Sequence, residues 1–182
     1  MTAPRLAVRL RAATETDGEA IAALYRRVAA APSSGLARAV HEITSDYVSG
    51  FVRRGHEAGI VLVAVEGGEG SDRAERVVGE IHAYRSHLAV FAHVLGELTI
   101  AVDPEAQARG VGRALFTELL RTVREDQPEI ERVELITRES NTRAITFYES
   151  LGFFREGRLE RRIRRADGVV EADIPMGWLR QR

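Results

Sequence analysis

The chain has 182 residues and a formal net charge of −1. That is enough for one domain with a hydrophobic core, and it lacks the basic surplus that a nucleic-acid or acidic-membrane partner would call for. Cysteine is absent, which excludes disulfides, a thiolate nucleophile and Cys-ligated zinc. The five histidines, His41, His56, His82, His87 and His93, show no HExxH spacing, so no metal is expected. Met1 to Leu10 lacks the apolar core of a signal peptide, and no apolar run approaches the roughly 20 residues that span a bilayer. A cytoplasmic location is therefore expected. All 26 basic residues are arginine, so the protein has no lysine of its own to modify.

In chain order, Leu6 to Arg11 alternates as a short strand would. Thr16 or Asp17 can cap a helix over Glu19 to Ala30. Pro32 to Gly35 reads as a loop, and a second helix is expected from about Arg38 to Arg54. Ile60 to Val65 is an apolar run of strand length, Gly67 to Asp72 a hairpin tip, and Val77 to Tyr84 its partner strand. After a loop at Ser86 to His93, a strand from Val94 to Val102 leads into a helix on which Val111, Leu115, Leu119 and Val123 recur four apart. Pro128 lies beyond its end. Val133 to Thr137 is the next strand, followed by a short helix over Thr142 to Ser150 that Gly152 closes. Arg155 to Ile163 and Val169 to Met176 form a final hairpin around Ala166, Asp167 and Gly168. The order β-α-α-β-β-β-α-β-α-β-β predicts an α/β fold with a mixed, largely antiparallel central sheet and flanking helices, in a single domain over 1–182.

The segment Gln107-Ala108-Arg109-Gly110-Val111-Gly112 joins the strand ending at Val102 to the amphipathic helix. The first amides of a helix have no partner within it and carry the positive end of its dipole, so they can hold an anion such as a pyrophosphate. Gly110 and Gly112 keep side chains out of the anion's way, and Arg109 and Arg113 can add charge at the rim. The alternative is a plain tight turn before a helix. A nucleotide P-loop is excluded because no Gly-Lys-Ser/Thr follows, and a dinucleotide site because Leu115 stands where a third small residue belongs.

Val102-Asp103-Pro104 and Gln107 to Leu115 resemble the acyl-CoA loop of the GNAT superfamily of N-acetyltransferases. Asn141, Ala144, Phe147, Tyr148 and Leu151-Gly152-Phe153 resemble its second hallmark, in the right order. The resemblance covers about residues 5–178, with its specificity in 97–115 and 141–153. It implies a GNAT-like fold, acetyl-CoA as cosubstrate and a primary amine as acceptor, either a small molecule such as an amino acid or a protein amine. It leaves a homodimer open. It also implies that main-chain groups of Ile100, Ala101 and Val102 pair with the pantetheine arm, which lies in a splay between this strand and the strand at 133–137. Gln107, Arg109, Gly110, Val111, Gly112, Arg113 and Ala114 would form the pyrophosphate loop, whose amides from Arg109 to Ala114 hold the anion. Asn141, Ala144, Phe147 and Tyr148 would line the cofactor from the following helix.

Acyl transfer to an amine needs a neutral nucleophile, a donor for the oxyanion and a proton for the leaving thiolate. The resemblance implies direct attack in a ternary complex, with Tyr148 protonating the thiolate. Read as a residue only, Tyr148 is equally a core tyrosine on the apolar face of Ala144, Ile145, Phe147 and Leu151. Asn141 is likewise an N-cap candidate, and the two roles are compatible. Glu97 is the expected base, with Glu80, His82 and a water chain as competitors. The basic run Arg161-Arg162-Ile163-Arg164-Arg165 reads as a solvated strand end, with binding of the cofactor's 3′-phosphate or of an acidic substrate as the alternatives. A different class of function, an acyl-CoA-binding module without turnover, is the alternative that an intact Tyr148 argues against.

Overall fold

The computed structural model describes residues 8–32, 35–68, 74–165 and 167–181. The start of the first expected strand, most of the 67–72 hairpin tip, part of the 32–35 loop and Ala166 lie outside the described residues. Among the described residues, eight strands and four α-helices follow in the order β1 (Arg9–Ala12), α1 (Gly18–Ala30), α2 (Ser45–Ala58), β2 (Gly59–Glu66), β3 (Arg76–Arg85), β4 (Val94–Val102), α3 (Val111–Asp126), β5 (Arg132–Arg138), α4 (Thr142–Glu149), β6 (Phe154–Arg155), β7 (Leu159–Arg164) and β8 (Val170–Leu179). The strands are hydrogen-bonded in the order β1-β2-β3-β4-β5-β8-β6, with β7 also on β8. The pairs β1/β2, β5/β8, β6/β8 and β7/β8 are antiparallel and β4/β5 is parallel, which is the mixed, largely antiparallel sheet expected.

Three local expectations shift. Helix α2 starts at Ser45, not near Arg38, because the Thr44 hydroxyl accepts a bond from the Tyr47 amide and so fixes the N-terminus there. Residues Val40–Glu42 form a separate 3-10 turn. Asp17 is the N-cap of α1, yet its carboxylate makes no cap bond. It accepts instead from the Thr14 amide at 2.7 Å and from both terminal nitrogens of Arg11 at 2.7 Å. The final hairpin is interrupted: a two-residue β6 precedes β7, and β7 carries an irregularity between Leu159 and Ile163 where Arg161 has a φ of 54°.

The chain divides into two compact units. One comprises Met1–Ala83 with Thr99–Arg121, the other Tyr84–Leu98 with Thr122–Arg182. In the first unit, β3 is buried on both faces, and its apolar run is interrupted by Gly79, Glu80 and His82. One face carries Gly79. A Cβ built there would stand 2.8 Å from Val111 Cγ1 and 2.9 Å from Leu115 Cδ1, so only glycine lets the first turn of α3 seat against the strand. The opposite face carries Glu80 and His82, 0% and 2% exposed, against α1 and α2. Tyr25 Oη donates to Glu80 Oε2 at 2.6 Å, His82 Nδ1 lies 3.1 Å from Glu80 Oε1, and Phe51 stacks on the His82 ring at 4.0 Å. In the second unit, β5 and β8 are in register from Arg132 opposite Leu179 to Arg138 opposite Asp173. Arg180 closes the C-terminal end of α3 by donating to the carbonyls of Val123, Arg124 and Gln127.

Candidate functional site

The loop from β4 to α3 is built in the first unit. Asp103, 1% exposed, anchors its start. Its backbone N–H donates to Val78 O at 2.9 Å. Oδ1 accepts from the Glu105 amide at 3.0 Å, and Oδ2 accepts from Arg27 Nε and Arg76 Nη2, each at 2.8 Å. Burial alone would push this carboxyl up, but the Glu105 amide and the two guanidiniums outweigh it and hold the group below its ordinary range. A 3-10 turn over Pro104–Ala106 follows. The chain then passes through two left-handed residues, Ala108 at φ 60° and Gly110 at φ 89°. Glycine takes that conformation freely; alanine does so at a cost of about 1 kcal/mol.

Helix α3 opens at Val111, and its first ladder bond runs from the Ala114 amide to Gly110 O at 2.9 Å. The Ala114 amide therefore belongs to the helix. The amides of Val111, Gly112 and Arg113 precede it in the first turn, at the positive end of the helix dipole. A Cβ at Gly112 would meet Val102 Cγ2 at 3.6 Å and Ile100 Cδ1 at 3.8 Å, ordinary contacts, and a Cβ at Gly110 would meet nothing within 4 Å. Neither glycine is demanded by packing inside the protein, so both leave room beside the helix N-terminus. Ala101 is buried, Ile100 and Val102 are half-buried, and Gln107 and Arg113 are exposed. The Arg109 guanidinium, expected to add charge at the rim, is paired with Glu66 and also donates to Glu105 O at 3.4 Å.

The remaining expected residues lie in the second unit. Strand β4 is in parallel register with β5 at only two positions, Val94 opposite Arg132 and Leu95 opposite Val133. Two residues later Glu97 takes a φ of 52°, a left-handed break in the middle of a strand, with its side chain exposed. Non-glycine residues hold such a conformation only where their surroundings impose it, and such sites cluster at functional positions. The competing bases Glu80 and His82 are sealed in the first unit against Tyr25 and Phe51.

Asn141 caps α4: its Oδ1 accepts from the Ala144 amide at 3.3 Å. That leaves the carboxamide NH2 as the donor end of the side chain. Phe147 and Tyr148 are half-buried, with ring centroids 5.7 Å apart, and Phe153 lies 6.2 Å from Tyr148. The Tyr148 carbonyl accepts from the amides of Leu151 and Phe153, and Gly152 sits between them at φ 93°. Burial pushes the Tyr148 phenol up to about 12. It is therefore protonated throughout the neutral range and can act as a donor.

Sequence reasoning missed three parts of this arrangement. The break at Glu97 had one signal that was not used, Gly96 inside the strand pattern, since an interior strand glycine often marks a bulge. The Arg27 and Arg76 clamp on Asp103 spans too many residues to be seen. The Glu80–His82 pair was legible only as two polar residues at strand spacing in an apolar run.

Comparison with known proteins converges on one family. The model of the acetyltransferase (GNAT) family matches residues 23–153. The chain is 38% identical over 89 residues to the ribosomal protein bS18-alanine N-acetyltransferase of Escherichia coli K12, covering 46% of this chain and 59% of that protein. It is 39% identical over 85 residues to the mycothiol acetyltransferase of Salinispora tropica, covering 46% of this chain and 27% of that protein. The chain thus spans less than two thirds of the length of either relative. Among solved structures, yncA from Salmonella typhimurium with its cofactor acetyl-CoA superposes with a TM-score of 0.76 at 20% identity, covering 95% of this chain and 94% of that one. At that identity the likeness establishes the fold.

Proposed function

The chain belongs to the GNAT acetyltransferase family, and from that premise we propose that it transfers an acetyl group from acetyl-CoA to a primary amine, of a small molecule or a protein, by direct attack. The observation that carries this reading is the β4–α3 loop. A buried, triply bonded Asp103 and two left-handed residues lead into a 16-residue helix whose first amides precede its own ladder. Those residues fit a pyrophosphate: the donors are main-chain amides at a positive dipole end, and the flanking glycines leave space for the anion.

Acetyl-CoA, when bound, supplies an acyl group activated as a thioester. Amides of Val111, Gly112 and Arg113 hold the pyrophosphate, and the main chain of Ile100 to Val102 orients the pantetheine arm. The Asn141 carboxamide donates to that arm while its oxygen caps α4. The Glu97 carboxylate receives the proton that the amine gives up as its nitrogen bonds to the acyl carbon. Tyr148 donates its phenolic proton to the sulfur as the carbon–sulfur bond breaks. Glu97 is favoured over Glu80 and His82 as base because it is exposed at a backbone break while they are sealed from solvent.

The test is the melting temperature with saturating acetyl-CoA, compared with ATP and NAD, followed by thiol release across an amine panel. A ligand at about 100 times its Kd adds about 2.7 kcal/mol, which raises the Tm of a domain this size by roughly 5–10 °C. A shift for acetyl-CoA alone, with thiol release for some amine, is the expected result. Binding without release for any amine would point to an acyl-CoA-binding module instead. No shift on folded protein would overturn the reading.

A further inference from the structure

Arg109 is the residue of the loop that most invites a phosphate-binding role, yet its geometry points elsewhere. Its Nη2 donates to Glu66 Oε1, and its Nη1 donates to Glu105 O at 3.4 Å. Among the described residues its Nε is buried without a hydrogen-bond partner. The Glu66 and Arg109 side chains are 18% and 26% exposed, so solvent screens this pair less than an ordinary surface pair. A guanidinium whose charge is matched by a carboxylate offers little net attraction to a second anion.

The backbone around Arg109 needs a support. Ala108 and Gly110, on either side, are both left-handed at φ 60° and 89°. An alanine in that region persists only where its surroundings impose it. Asp103 locks the start of the loop, six residues before Arg109, and the α3 ladder begins only with the bond from Ala114 to Gly110. Between those two supports, the Arg109 side chain ties the turn to Glu66 at the end of β2 and to the Glu105 carbonyl.

We infer that Glu66 and Arg109 form a positioning pair. They set the left-handed turn that presents the amides of Val111 to Arg113, and the Arg109 guanidinium is not itself a phosphate ligand. This rests on the reading that the loop holds the pyrophosphate of acetyl-CoA.

The experiment measures the Kd of coenzyme A by calorimetry for the wild type, Glu66→Gln, Arg109→Gln and the double variant. It is paired with kcat and KM for acetyl-CoA and for S-acetylpantetheine, which lacks the pyrophosphate. For a positioning pair, each single change weakens coenzyme A about fivefold, and the double change weakens it no further, because either one already releases the turn. Glu66→Gln raises KM for acetyl-CoA with kcat held, and leaves kcat/KM for S-acetylpantetheine unmoved. Tighter coenzyme A binding by Glu66→Gln would overturn the inference, since it would mean that Glu66 restrains a phosphate-binding arginine. So would a loss confined to Arg109→Gln, or no loss in either variant. Should the single variants fail to melt cooperatively, the reversed pair E66R/R109E decides. Restored coenzyme A affinity supports positioning, whereas a folded but non-binding reversal assigns Arg109 to the ligand. Failure of the wild type to bind coenzyme A would instead overturn the functional reading from which this follows.

Discussion

The β4–α3 loop and the Glu97–Tyr148 region both depend on unusual backbone, but they hold it by different means. In the loop the left-handed Ala108 lies between two ionic anchors, Asp103 with Arg27 and Arg76, and Arg109 with Glu66. Nearly every charged side chain there is occupied with shape. In the second region the left-handed Glu97 interrupts a strand, and α4 is set by an asparagine cap and a glycine closure. Structure there is carried largely by main-chain bonds and the Asn141 cap. Substitutions in the loop should therefore be felt in stability and affinity, and substitutions around Glu97 and Tyr148 in turnover.

The comparison can be broken most directly at its two extremes. Tyr148→Phe is expected to lower kcat by about 100-fold, the range of a lost general acid, while the Kd of acetyl-CoA and the Tm stay near wild type. An unchanged kcat would remove Tyr148 from the chemistry. Asp103→Ala is expected to do the reverse. It removes the buried acceptor shared by the Glu105 amide, Arg27 and Arg76, whose own side chains are 39% and 46% exposed, and should cost about 2 kcal/mol in urea unfolding. A loss under about 1 kcal/mol would show that the clamp is not what anchors the loop.

Gly79→Ala sharpens the same contrast without touching a charge. The new methyl would press on Val111 and Leu115, so a loss of about 1–3 kcal/mol and weaker acetyl-CoA binding should appear together. A destabilised variant with unchanged affinity would uncouple the seat of α3 from the loop. A smaller effect is expected from Ala108→Gly, which relieves left-handed strain and should be neutral or stabilising by up to ~1 kcal/mol. Glu97→Gly relieves the same strain but should lower kcat. If both glycine variants behave alike, the proposed division between the regions fails.

Titration of Tyr148 gives the finest test. Its phenol is pushed up to about 12 from 10.0 by burial, so the folded state favours the protonated form. That contribution to stability is fully present below pH 10 and is lost as pH rises from 10 toward 12. The absorbance difference between wild type and Tyr148→Phe near 295 nm should show one phenol titrating near 12. A midpoint near 10 would mean that the ring is solvated and the donor argument loses its physical basis.

Much of this protein was readable from local pattern. The Val111–Leu115–Leu119–Val123 stripe specified α3, and those four side chains are buried. The Gly152 position announced a left-handed closure, and its φ is 93°. Asn141 before Thr142 marked a cap, and it caps. These features depend on residues a few positions apart, which is why the element order and the family motifs could be read without coordinates. What the tertiary structure alone decided is which polar groups meet. Arg27 and Arg76 converge on Asp103, Arg109 turns to Glu66, and Glu80 and His82 close on Tyr25 from distant points in the chain. The break at Glu97 belongs to the same class, because no intrinsic preference of glutamate selects φ 52°. Short-range sterics and hydrophobic period are written in consecutive residues, whereas charge pairing and strand distortion are set by neighbours that only folding supplies.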